Sequence, residues 1–236
     1  MNSLSVISVA QRLVTLFSVI TLSGLNACAS TTPVAYQGLS SARALTPTKE
    51  SKNTFQYKNT DVQSEPYANL ILDPVTVYTG EDSQFGSVSR DNRARIAEYM
   101  QRQFTTDFGK KVHIVETAIE PGTVRLHLTL TGMETSTPVV SALSHILPVG
   151  VVVNAGLGAA GHSGTFLGSV SYAAELYDAA TGELIYASVS RRTPFAMDVT
   201  ASFGRLDAAK KGVRIGAKQL SEDLSKTGLF NASDPI

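Results

Sequence analysis

The sequence predicts an α+β fold: a largely antiparallel sheet with two amphipathic helices packed on one face, behind an N-terminal signal and tether. Three observations predict it. Two segments keep apolar residues at helical spacing, several others alternate apolar and polar residues with period two, and runs of strands separate the two helical segments. With 236 residues and 43% hydrophobic content, the chain is long enough for one globular domain with a true core.

The first strong strand is ANLILDPVTVY, Ala68 to Tyr78, where Pro74 removes a ladder donor and requires an edge position or a bulge. In SRDNRARIAEYMQRQFTTDFG, Ser89 is the expected N-cap, Ile96, Met100, Phe104 and Phe108 recur every four residues, and Gly109 stops the helix. Lys111 to Glu116 predicts a short strand, and Pro121-Gly122 a turn. TVRLHLTLT sets Val124, Leu126, Leu128 and Leu130 against Arg125, His127, Thr129 and Thr131, one face buried and the other polar. SVSYAAELYD places Val170, Tyr172, Ala174 and Leu176 on one face, and the Asp178-to-Gly182 loop returns the chain into ELIYASVSRR as a β-hairpin. From Arg205 to about Ser225, residues Leu206, Ala209, Val213, Ala217, Leu220 and Leu224 form a helical stripe that ends near Gly228. The predicted order is β-α-β-β-β-β-α.

The N-terminus carries a different kind of signal. Arg12 precedes an apolar run, Leu13 to Leu25, of export-signal length and too short for a comfortable membrane span. The run ends in Leu25-Asn26-Ala27-Cys28, which resembles the bacterial lipobox: an aliphatic residue, a small residue, and a cysteine that becomes the new N-terminus. Cys28 is the single cysteine of the chain, which fits a thiol used for lipid attachment and leaves none for a disulfide or a thiolate metal site. The plainer alternative is an ordinary cleavable signal with an incidental cysteine. Several acyl chains, each contributing about 0.8 kcal/mol per buried methylene, would make such an anchor effectively permanent. Ala29 follows the cysteine, and in lipoproteins of Gram-negative bacteria a residue other than aspartate there implies transfer to the outer membrane. The expected layout is a signal peptide over 1–27, a tether and extended docking segment over 28–66, a periplasmic α+β domain over 67–228 and a tail over 229–236. Tyr36, Leu39, Phe55 and Tyr57 are the sparse apolar anchors of the second segment.

Lys+Arg and Asp+Glu both number 20, so no global field favours nucleic acid, which needs a basic face to displace counterions. Thr135 to Ala174 contains no Asp, Glu, Lys or Arg. Its most apolar part, VVSALSHILPVGVVVNAGLGAAG, approaches membrane-span length, but Pro148 and the glycines break any continuous helix. It reads as an excursion buried on the domain, or as an exposed patch for self-association, a partner or the membrane surface. On the last helix Lys210, Arg214 and Lys218 recur every four residues beside Lys211, a stripe that reads as a solvated face or as a contact for anionic lipid or an acidic partner. The candidate interaction surface therefore combines Ile146, Val151, Val152 and Val153 with Lys210, Arg214 and Lys218.

Within the uncharged run, Gly156, Gly158 and Gly161 have the G-x-G-x-x-G form of a dinucleotide-binding turn, but strand alternation follows where the phosphate-binding helix is needed. GHSGT, Gly161 to Thr165, half resembles a nucleophile elbow, with Ser163 and either His162 or His145 as base; its fifth residue is Thr165 and again no helix follows. His113, His127, His145 and His162 form no i,i+4 pair. No metal or cofactor is expected.

The placed elements resemble a family of bacterial lipoproteins catalogued as domain of unknown function 3313. The resemblance runs from about Tyr36 to Leu224 through YQGLSSARALTP, YANLILDPVTVY, GTVRLHLTLTGME and AAELYDAATGELIYASVSRR. No catalytic residues belong to that family's pattern, so the resemblance implies fold, lipidation and compartment. The expected role is a non-enzymatic, outer-membrane-anchored module that binds an unknown envelope protein or another copy of itself. The rivals are an oligomeric assembly or secretion component using residues 135–174, and an envelope hydrolase using Ser163.

Overall fold

A computed structural model of the chain describes residues 34–48, 53–60, 66–117, 122–135, 168–194 and 204–230. Its elements are β1 (Thr46–Pro47), β2 (Thr54–Lys58), β3 (Asn69–Leu72), β4 (Thr76–Val77), α1 (Arg90–Phe108), β5 (His113–Ile114), β6 (Thr123–Glu134), β7 (Ser169–Asp178), β8 (Leu184–Arg192) and α2 (Asp207–Lys226). The strands form one mixed, mostly antiparallel sheet in the order β1-β2-β8-β7-β6-β3-β5, with β4 also paired to β6. Two-residue strands stand at both edges.

The strand predicted over Ala68 to Tyr78 divides at Pro74. Leu72 pairs with Leu126 and Thr76 with Thr129, so four steps on one chain face three on β6. The extra residue is a bulge, where a proline costs no ladder bond. Within it the Asp73 amide still donates to Leu126 at 3.1 Å, and the Val75 amide turns to Gln101 Oε1 of α1 at 2.8 Å. β3 runs parallel to β6 because α1 and β5 intervene as a crossover.

α1 begins and ends as its sequence requires. The Ser89 hydroxyl accepts from the Asn92 amide at 3.3 Å, and Gly109 closes the C-terminus. Its buried residues Ile96, Ala97, Met100, Phe104 and Phe108 join Leu126, Leu128 and Leu130 of β6 and Tyr172 of β7 in the main core. Phe104 meets Tyr172 edge-on, with ring centroids 5.5 Å apart. α2 packs on β7 and β8 with small residues, Ala209, Gly212, Val213, Gly216 and Ala217. A Cβ on Gly212 would lie 2.7 Å from Val170 Cγ1 and 3.1 Å from the Arg192 carbonyl, so the glycine sets how close helix and sheet come. Gly216 lies equally tight against the Tyr172 ring.

The far face of the sheet is also closed. Tyr36, Leu39 and Leu45 bury against Ala173, Ala187 and Val189, with Phe55 and Tyr57 of β2 beside them. Residues 54–58, read from sequence as part of a tether and docking segment, are thus a full strand, hydrogen-bonded to β8 in the register Phe55 to Val189. Polar bonds fix residues 34–45 in place: the Ser41 amide donates to the buried Glu175 carboxylate at 2.7 Å, and the Tyr36 hydroxyl donates to Gln84 Oε1 at 3.1 Å.

The β7–β8 loop is built around Asp178, whose carboxylate accepts from the Ala180 amide at 2.9 Å, the Thr181 amide at 2.8 Å and the Tyr67 hydroxyl at 2.9 Å. Gly182 follows at φ 73°, where a side chain would be strained. Burial opposes the Asp178 charge, but the bonds from Thr181, Tyr67 and Ala180 together outweigh it and lower its pKa.

The close approach at Gly212 leads to a test. Gly212→Ala gains about 1 kcal/mol of helix propensity, against an overpacking cost of about 1–3 kcal/mol at a backbone contact that cannot move aside. The expected outcome is a lower urea midpoint; a raised one would show that α2 shifts off the sheet freely.

Candidate functional site

α2 covers β7 and β8, and the helix-side surface of β8 and β2 continues past it as the floor of a cleft of about 310 Å³. Register makes that floor polar. Thr54 pairs with Ser190 and Gln56 with Ser188, so hydroxyls and an amide stand side by side on the face that carries Tyr186 and Arg192. Tyr172 of β7 forms the back, and Gln219, Leu220 and Asp223 of α2 form one wall. Ser188 and Ser190 are 2% and 3% exposed, an unusual depth for serines on neighbouring same-face positions.

The electrostatics centre on Arg192. Its Nε is buried and, among the described residues, has no hydrogen-bond partner. An orphaned buried donor costs about 1–3 kcal/mol. Burial raises the Tyr172 pKa, while the Arg192 charge and hydrogen bond pull it back. Tyr186 is likewise raised by burial and by the Asp223 charge, against bonds from Ser188 and Gln56 and the Arg192 charge. The cleft thus offers one guanidinium, one carboxylate at the rim and several hydroxyls and amides. That is a set for holding a polar ligand with an acceptor aimed at Arg192.

Of the residues singled out in the sequence, Lys210, Arg214 and Lys218 share the outward side of α2, opposite Ala209, Val213 and Ala217. Lys218 reaches Glu222 at 3.9 Å, a distance and exposure that contribute little. Cys28, Ile146, Val151, Val152 and Val153 lie outside the described residues, as do the glycine motif, His145, His162 and Ser163. His127 Nε2 lies 2.7 Å from Asp73 Oδ2, with Arg125 2.8 Å from the other oxygen, on the sheet face opposite the cleft. Among the described residues no three His, Cys, Asp or Glu side chains converge to hold a metal ion. No helix among them is long and apolar enough to cross a membrane.

Sequence reasoning passed over the cleft. Its signal is the alternation of Tyr186, Ser188, Ser190 and Arg192 against Ala187 and Val189, small hydroxyls where a core strand would carry aliphatic residues. Without β2 beside them, those hydroxyls read as an ordinary polar face.

A family model described as a protein of unknown function, DUF3313, matches residues 35–220. The chain belongs to this family. Among solved structures, the DUF3313 chain is similar to the PelC dodecamer from Paraburkholderia phytofirmans, at 12% identity over 75% of this chain and 97% of that one, with a TM-score of 0.37. A point variant of that dodecamer matches at 13% identity over 71% and 95% of the two chains, also with a TM-score of 0.37. A putative neuraminyllactose-binding hemagglutinin homologue from Helicobacter pylori matches at 8% identity over 73% and 92%, with a TM-score of 0.33. No curated protein matches the chain.

The raised tyrosines set a pH dependence. Where the folded pKa lies above the unfolded value of about 10, the unfolded state loses its proton first, so stability holds below that pH and falls as pH rises through it. Urea unfolding across this range should show the fall, and Tyr172→Phe should flatten it. An unchanged slope in the variant would assign the alkaline loss to other groups.

Proposed function

We propose that the chain is a lipoprotein of the outer membrane, anchored through Cys28, whose periplasmic domain is a non-enzymatic binding module with the cleft beside α2 as its site. Leu25-Asn26-Ala27-Cys28 after an apolar run supports the anchor, and the single cysteine leaves that thiol no other evident use. The observation that carries the binding reading is Arg192, a half-buried cation in a cleft lined by Ser188, Ser190, Tyr172 and Gln219. A carboxylate or carbonyl of an envelope partner would pair with that guanidinium through a charge-assisted hydrogen bond. Anchoring confines the domain to a thin layer near the membrane and raises its effective concentration toward partners there.

Cys28→Ser should abolish acyl labelling and release the protein from the membrane fraction. Retention through an acyl chain in that variant would end the anchor reading. For the cleft, photocrosslinking residues at Gln56 and Gln219 should trap an envelope partner in cells, and Arg192→Gln, with its urea midpoint checked, should lose the adduct. No adduct at either position counts against the binding module, and adducts solely between copies of this chain would favour self-assembly.

A further inference from the structure

The described fold begins at Val34, six residues after Cys28. Covalent geometry limits a link of that length to about 21 Å fully extended. What begins at Val34 is the segment that closes the sheet face opposite the helices. Its first turn is tied to the loop after β4: the Gln37 amide donates to Asp82 Oδ2 at 3.0 Å, the Gly38 amide to the Tyr78 hydroxyl at 3.0 Å, and that hydroxyl to Asp82 Oδ1 at 2.7 Å. Tyr36 and Tyr78 meet edge-on at 5.2 Å. The start of the fold is therefore held to one face of the sheet. Val34 is also the one exposed large apolar side chain among the described residues.

We propose that the face closed by residues 34–45, with the turn at 78–84 beside it, is the membrane-proximal face of the mature protein, and that the lipid headgroup layer is what it meets. This rests on lipid attachment at Cys28. Segment, sheet and helix layers, at about 10 Å each, put the outer side of α2 roughly 25–30 Å from the outer side of residues 34–45. The link is too short to span that thickness and bring α2 to the lipid. Lys210, Arg214 and Lys218 then face the periplasm, away from anionic lipid. The cleft lies on the same side of the sheet as α2, opposite residues 34–45.

The lipidated protein, made with its own signal and reconstituted in vesicles of phosphatidylethanolamine and phosphatidylglycerol, tests this directly. Lipid attachment uses the one native thiol, so an introduced cysteine is the single site for a fluorophore. Labels at Gln37→Cys and Glu81→Cys should lose most of their emission to a headgroup-quencher lipid, and a label at Lys218→Cys should keep it. Equal or stronger quenching at Lys218→Cys in acylated, vesicle-bound protein overturns the orientation alone. Protein that neither floats with the vesicles nor carries acyl mass on Cys28 overturns the anchor and the orientation together. A Gly-Ser insertion after Thr32 should narrow the difference between the two sides, and an undiminished difference would overturn the argument from reach.

Discussion

β7 is buried along both faces, and the rest of the fold follows from covering it. An antiparallel sheet ordinarily leaves one face to water. Here Val170, Tyr172, Ala174 and Leu176 bury toward the helices, while Ser169, Ser171, Ala173 and Glu175 bury on the other side. One side is closed by α1 and α2. The other is closed by Tyr36, Leu39 and Leu45, each stabilising the fold by about 1.5–3 kcal/mol through burial. Residues ahead of the first long strand are therefore structural. Glu175, buried among them, is tolerable because the Ser41 amide bonds it, which ties the N-terminal segment to the centre of the sheet.

Much of this architecture was legible because local chemistry and long-range packing agree. Ser89 and Gly109 mark α1, the alternation of β6 separates its two faces, and Asp178 with Gly182 specifies the hairpin loop. What escaped was pairing at a distance. TFQYK alternates Phe55 and Tyr57 with polar residues, but five residues amid Ser, Thr and Lys do not declare a strand until β8 supplies its partner. Pro74 announced a bulge or an edge, and only the register on β6 decides for the bulge.

The site was less legible than the fold for a physical reason. A cleft exists where covering stops, and where α2 stops depends on Gly212 and Gly216 drawing it onto Val170 and Tyr172 rather than outward over β2. The stripe of Lys210, Arg214 and Lys218 was visible as helical spacing alone, since charges on one face need no tertiary context. Ser188, Ser190 and Arg192 needed two neighbouring strands and a helix before their alternation meant more than solvation.

The two ends of the sheet carry a further consequence. Among the described residues the edge strands β1 and β5 are two residues each, so each presents only a short row of open backbone donors and acceptors to another chain. Blunt edges are a defence against runaway strand addition. Lengthening either edge would trade solubility for a sticky border.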